Sequence, residues 1–339
     1  MKNRIIYSLK AALVVALSII SPSSTLADEA AALQRPGMID FVNDMMVKYE
    51  FDRASLNAIL SQARFQESIV IAISKPAEAK PWEQYHPLFV NPARINNGVR
   101  FWRDHDEALT RARHEYGVPE SIITAIIGVE TSYGKNTGSY RVLDALTTLA
   151  FSYPPRAEYF RSELEQFLLL ARDGALDPLS LKGSYAGAMG IGQFMPGSYR
   201  RYAVDFDHDG RRDIGRDMTD AIGSIGNYFK MHGWQTGQPV AVRAQVTGEQ
   251  YQALLNEGLE PRRSLTELKA LGVAPQQKIS GDPLAALFKL ETKNGPEYWL
   301  GFKNFYVITR YNRSIHYAMS VYQLSSGIED AYQQAQKER

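Results

Sequence analysis

Ser121-Ile-Ile-Thr-Ala-Ile-Ile-Gly-Val-Glu130-Thr-Ser-Tyr-Gly134 decides how this chain is read. The run is apolar almost throughout, and Glu130 is its only charged side chain. Pro119 and Glu120 suit the first turn of a helix and Gly134 suits its end, so the run predicts a buried helix with Glu130 in its last turn. There the negative end of the helix dipole opposes a carboxylate, and burial opposes it too. Both effects would hold Glu130 protonated at higher pH than usual, which is what a general acid requires. These residues admit two readings at this point: a catalytic acid, or a glutamate at a solvent-exposed helix end.

Working outward, the 339 residues are 45% hydrophobic and 22% charged, enough for a substantial core and two or three domains. Formal net charge is +1, and no basic stripe, zinc-finger spacing or RNA-binding signature is present, so nucleic acid is not an expected partner. The start is distinct. Lys2, Arg4 and Lys10 precede or border the apolar stretch Ala11–Ile20, and Thr25-Leu-Ala27 ends in a small residue before Asp28. This predicts a cleavable secretory signal at 1–27 and a periplasmic protein. Its removal takes the formal charge from +1 to −2, since three basic residues leave with it. The chain has no cysteine, which excludes disulfides, a thiol nucleophile, thiolate metal sites and lipid attachment through cysteine.

The pattern from Ala31 to Ala171 is mostly helical, with Pro76 to Pro92 read as a connection across the surface and Pro154-Pro155 opening an amphipathic helix. A glycine-rich loop, Gly183 to Gly197, precedes an acidic loop from Asp205 and a helix from Asp220 to about His232. Val240–Val246, Ala285–Leu290 and Glu297–Phe302 read as strands of a small inserted unit. Phe305–Tyr311 reads as one further strand, and helix returns from His316.

Three constellations carry chemistry. Glu130 is the first. The second is Lys182-Gly-Ser-Tyr-Ala-Gly-Ala-Met-Gly-Ile-Gly-Gln193-Phe-Met-Pro-Gly-Ser198, whose glycines let backbone approach a ligand and whose reaching polar side chains are Ser184 and Gln193. Its spacing is not that of a phosphate loop. The third is Asp205-Phe-Asp207-His-Asp209-Gly210-Arg-Arg-Asp213, with oxygen ligands at positions 1, 3, 5 and 9 and glycine at 6 of a calcium loop. Arg212 at position 8 and Arg216 at position 12 depart from that pattern, and an acidic turn pairing with Arg211 and Arg212 is the competing reading. The six histidines show no metal-ligand spacing, and no nucleophile elbow is present.

Gly128–Gly134, Gly187–Pro196 and Phe305–Asn312, with Asn97–Trp102, Arg156–Phe160 and Asn227–Trp234, together resemble the lytic murein transglycosylase B family over about residues 40 to 325. The resemblance implies a mainly α (α+β) protein: a lysozyme-like α core at 116–236, a helical N-terminal domain at 28–115, an α+β insertion at 237–304, and a return to the core at 305–339. It implies cleavage, without water, of the β-1,4 bond between N-acetylmuramic acid and N-acetylglucosamine in peptidoglycan, with no required cofactor. Partners would be glycan strands and cell-wall synthesis enzymes. On motif position Glu130 matches the catalytic acid, and Ser184, Gln193, Tyr228, Tyr311, Asn312 and Tyr317 match substrate-binding residues. Arg156 is a further cleft candidate, although Pro155 stands where the family tends to have a second arginine. Some family members bind calcium at the loop corresponding to Asp205, Asp207, Asp209 and Asp213, a structural ion rather than a catalytic one.

One carboxylate suffices if it first protonates the leaving oxygen and then deprotonates the C6 hydroxyl of the same muramic acid. Ordinary glycosidases need two acids. Asp144, in the helix-like Val142–Leu149, is the next acid along the chain. A hydrolytic muramidase would use such a second carboxylate, and a non-catalytic scaffold would have no use for Glu130.

Overall fold

The computed structural model describes residues 33–75, 80–174 and 176–338. The expected signal at 1–27 lies outside them. Helices α1 (Met38–Tyr49), α2 (Arg53–Leu60) and α3 (Glu67–Ile73) open the chain, followed by α4 (Trp82–Phe89), α5 (Pro92–Asp104) and α6 (Asp106–Tyr116). Much of the expected connection before Pro92 is therefore helix: α4 buries Trp82 and Tyr85 and accommodates Pro87 inside it. Pro92 fits because it begins α5, where its missing N–H costs nothing, behind the Asn91 cap.

Helix α7 (Glu120–Thr131) is the centre of the molecule. Ile122, Ile123, Ala125, Ile126, Ile127 and Val129 are all buried, as a helix apolar on every side demands. It packs against α5, α6 and the long last helix, α15 (Ile315–Lys337). Helices α8 (Val142–Ser152), α9 (Ala157–Arg172), α10 (Pro196–Tyr202) and α11 (Met218–Met231) complete the core, and the two-residue strands β1 (Tyr140–Arg141) and β2 (Lys182–Gly183) pair antiparallel ahead of the glycine loop. Among the described residues no helix is long and apolar enough to cross a membrane.

The insertion is an antiparallel sheet of β3 (Ala241–Val246), β4 (Arg263–Ser264), β5 (Val273–Pro275), β6 (Leu284–Thr292) and β7 (Gly295–Gly301), in the order β4-β6-β7-β3-β5, with short helices α12 (Tyr251–Leu254) and α13 (Leu265–Ala270). Strand alternation gives β6 two buried faces. Ala285 and Leu287 join a small cluster with Val242, Leu254 and Leu300, while Phe288 and Leu290 join the main core.

One expectation fails. Phe305–Tyr311 is not a strand: it lies in helix α14 (Lys303–Tyr311). Its β-branched and aromatic residues favour a strand locally, but tertiary contacts override that weak preference. Asn304 is fully buried, receiving Gln235 N–H at 2.8 Å and donating to the Gln235 and Gln238 carbonyls at 2.8 and 2.9 Å. Phe305 stacks on Phe288 with ring centres 4.6 Å apart. Helical spacing then buries Phe305, Val307, Ile308 and Thr309 and turns Arg310 outward to a half-buried position.

Candidate functional site

Helix α7 ends abruptly just after Glu130. Ser132, Tyr133 and Gly134 all have positive φ, at 53°, 64° and 78°. Two non-glycine residues in that region signal a local cost that the surroundings must offset. Tyr133 donates its hydroxyl to the Arg94 carbonyl at 2.7 Å, and Gly128 leaves room for its ring: a Cβ there would lie 2.8 Å from it. Thr131 donates to the Ile191 carbonyl at 2.9 Å and accepts from Gly134 N at 3.0 Å, fastening the helix end to the glycine loop. Arg94 donates to the Gly128 carbonyl, bringing a cation to the negative end of the helix. The unfavourable dipole expected at Glu130 is thus partly answered by a guanidinium 36 residues earlier in the chain.

Glu130 is half-buried, and Tyr317 donates its hydroxyl to Oε1 at 2.5 Å. Tyr317 is only 3% exposed, and burial, with the charge of Glu130, raises its pKa well above the usual tyrosine value. It therefore stays protonated, and its hydrogen is committed to one carboxyl oxygen. Tyr311 is raised in the same way by burial and by Glu130, and donates to the Gly192 carbonyl at 2.5 Å. Tyr228, also raised by burial, donates to the Arg310 carbonyl at 2.5 Å, and its ring centre lies 4.8 Å from that of Tyr311.

A cleft of about 670 Å³ runs beside these groups, lined by Arg156, Tyr159, Gln193, Tyr228, Tyr311 and Asn312 among others. The structure brings Gln193, Tyr228, Tyr311, Asn312 and Arg156 to one cavity; Glu130, Ser184 and Tyr317 are not among its lining residues. Gln193, at φ 51°, donates its amide to the Gly190 and Thr137 carbonyls at 2.9 and 3.1 Å, tying the loop to the segment after α7. Ser184 lies just past β2, its Oγ accepting from Ala188 N at 3.0 Å and Ala186 N at 3.3 Å. Asn312 Oδ1 accepts from Ser314 N at 3.0 Å where the chain turns from α14 into α15. Arg156 lies over the Tyr159 ring at 4.6 Å, which accounts for a cation at a helix start.

Sequence reasoning missed Arg310, Arg313, Tyr159 and Ser198, which also line the cleft. Arg310 and Arg313 flank Tyr311-Asn312, so adjacency to a recognised motif was the available signal. No lining residue of the cleft is acidic among those described. Asp144, the other acid considered, is buried and fully occupied: it accepts from Arg64 N at 2.8 Å, from Arg141 at 2.5 and 3.0 Å, and from the Gln66 amide at 3.2 Å. It joins the N-terminal helices to the core. Glu163, whose pKa is raised mainly by burial, accepts Gly197 N at 2.8 Å behind Tyr159.

In the acidic loop, Asp205, Asp207 and Asp209 bring carboxylate oxygens within 4.8 Å of one another. They accept backbone N–H groups, among them Gly210 N on Asp205 at 2.9 Å and Arg211 N on Asp209 at 2.8 Å. Those turns, rather than pairing with Arg211 and Arg212, shape the loop. Three close carboxylates of hard oxygen chemistry fit a calcium ion. Asp213 stands outside the cluster, its Oδ1 accepting from Gly215 N and Arg216 N at 3.0 and 2.9 Å, and Asp217 caps α11 through Thr219 N and Asp220 N. The ligand at position 9 of such loops often acts through water, which suits that placement.

Comparison with known proteins identifies this arrangement. Residues 34–326 match the transglycosylase SLT domain family. The chain is 48% identical over 305 residues to the membrane-bound lytic murein transglycosylase B of Escherichia coli strain K12, covering 86% of this chain and 82% of that one. It superposes with a TM-score of 0.82 on the catenated lytic transglycosylase SltB1 of Pseudomonas aeruginosa, at 52% identity, covering 88% of this chain and 98% of that one. The Escherichia coli lytic transglycosylase Slt35 in complex with calcium gives a TM-score of 0.80 at 47% identity, with 88% and 94% covered. The chain belongs to the SLT transglycosylase family and is a lytic transglycosylase with a lysozyme-like fold.

Proposed function

We propose that this lytic transglycosylase cuts the β-1,4 bond between N-acetylmuramic acid and N-acetylglucosamine with Glu130 as its single acid and base. The observation that carries this reading is the Tyr317 hydroxyl on Glu130 Oε1 at 2.5 Å. In this reading Oε2, the oxygen opposite that bond, carries the working proton. Oε2–H protonates the glycosidic oxygen, the bond from that oxygen to the muramyl C1 breaks, and N-acetylglucosamine leaves with a free 4-hydroxyl. The muramyl 2-acetamido oxygen stabilises the positive charge at C1, as in substrate-assisted glycosidases. Glu130, now a carboxylate held by Tyr317, takes the proton from the C6 hydroxyl as that oxygen bonds to C1. The product is a 1,6-anhydromuramyl end, and Glu130 is protonated again.

The surrounding residues take supporting roles. Ser184, with both its acceptor bonds made to backbone N–H groups, retains a hydroxyl hydrogen to orient the acetamido group. Gln193, whose amide nitrogen is committed to two carbonyls, offers its oxygen to the sugar. Tyr228 and Tyr311 present ring surface while their hydroxyls hold the Arg310 and Gly192 carbonyls. Arg156 and Asn312 complete the cleft wall. Asp205, Asp207 and Asp209, with Asp213 through water, would hold a calcium ion that stiffens the loop before α11 and takes no part in the reaction. The basic and apolar start of the chain directs it to the periplasm, where peptidoglycan lies.

Mass spectrometry of muropeptides released from purified murein tests this reading. Products lighter by one water than hydrolysis products, absent with Glu130→Gln, are expected; hydrated reducing ends would refute it.

A further inference from the structure

We infer that the inserted sheet carries a second glycan subsite that holds the strand away from the scissile bond. The inference rests on Glu130 being the reacting group. A second cavity, of about 660 Å³, lies between α12, the β6–β7 hairpin and the start of α15. Its wall sets the polar Tyr251, Gln252, Asn256, Lys289 and Tyr298 against a largely apolar remainder that includes Ile315. The two cavities are nearly equal in volume, each within the range of a small-ligand site.

Their placement argues for one polymer. The first cleft is lined by Arg310 to Arg313 and the second by Ile315, so a single short segment borders both. Tyr317, two residues further on, holds Glu130. A strand long enough to extend past the first cleft along that segment would reach the second cavity.

The lining argues for sugar. Tyr251 and Tyr298 sit edge to face with ring centres 5.3 Å apart, and their hydroxyls are 3.3 Å from each other. Two hydroxyls sharing one hydrogen bond leave one O–H to donate outward. Gln252 and Asn256 add exposed amides, which pair well with N-acetyl groups. The only cation in the wall, Lys289, is paired with Glu291 at 2.6 Å, so the cavity offers little net charge to an acidic stem peptide. Rings with polar tips and neutral amides suit a neutral N-acetylated disaccharide.

Contacts far from the reacting bond raise turnover of substrates long enough to reach them and leave short ones unaffected. The test is kcat/KM on glycan strands graded by length, both peptide-free and bearing stem peptides, for wild type, the double variant Tyr251→Ala/Tyr298→Ala, and Asn256→Trp, which adds bulk at an exposed position. Expected is a loss of about tenfold on long strands with either variant, and none on the shortest strand that wild type cleaves. Equal loss at all lengths, or no loss at any, would overturn the subsite. So would a loss seen only on strands bearing stem peptides, which would make the cavity a peptide site. Failure of wild type to form anhydro ends on any strand would instead refute the reading of Glu130. Melting temperatures separate the tyrosine variant's folding from its binding, and Asn256→Trp decides the matter if that variant does not fold.

Discussion

Glu130 and the Asp205–Asp209 loop are both carboxylate sites, yet they differ in almost every physical respect. Glu130 is half-buried in the last turn of a largely apolar helix and accepts the Tyr317 hydroxyl. The loop gathers three carboxylates, two of them exposed, held by backbone N–H groups of their own turn. Clustered exposed carboxylates stay ionised and invite a cation, whereas burial disfavours the charged form of a carboxyl. Burial and surroundings, not residue type, thus set the two carboxylate sites apart. Asp144 marks a third outcome: more deeply buried than Glu130 and saturated with donors that tie the N-terminal segment to the core.

The contrast breaks first at Glu130. Glu130→Gln should lower kcat about a thousandfold, within the usual contribution of a general acid, while leaving the melting temperature nearly unchanged. Turnover measured beside calorimetry checks it, and a comparable loss of stability would mean that Glu130 is structural after all. Asp144→Ala should behave oppositely. Breaking its ion pair with Arg141 and leaving the Arg64 N–H and Gln66 amide without their acceptor should cost about 3 kcal/mol of folding stability in denaturant titration, with activity per folded molecule retained.

Tyr317→Phe sharpens the account of the proton. Losing that donor should cost about tenfold in kcat, the size of one hydrogen bond to a charged group. The sign of the pH effect follows from the bond. Tyr317 favours the ionised form of Glu130, so its removal raises the pKa of Glu130. The general acid then stays protonated to higher pH, and the alkaline limb of the kcat profile should move upward; a downward move would contradict the hydrogen-bond assignment. The smallest effect belongs to the loop. Millimolar calcium should raise the melting temperature by a few degrees through preferential binding to the folded state, and Asp207→Asn should abolish that rise with kcat unchanged.

The sequence made the buried helix legible because an apolar run with a proline start has few alternatives, and Glu130 stood out as its only charge. The partner of Glu130 was legible only by family resemblance: Tyr317 lies 187 residues away, and no local pattern encodes that contact. Arg94 was illegible for the same reason, although it alters the electrostatics at the helix end. Helix α14 was misread because Val307, Ile308 and Thr309 favour strands until the Asn304 clamp and the Phe288 stack are known. Asp144 gave no hint in sequence of its bonds to Arg64 and Gln66, which lie 80 and 78 residues earlier in the chain.

Digestion of purified murein in oxygen-18 water tests the central claim most directly, because a single carboxyl working with the substrate's own C6 hydroxyl leaves no place for solvent. Anhydromuramyl ends carrying no oxygen-18 are expected. One oxygen-18 at each new muramyl end would show that water attacks C1, and would contradict the assignment of Glu130 as the only acid and base.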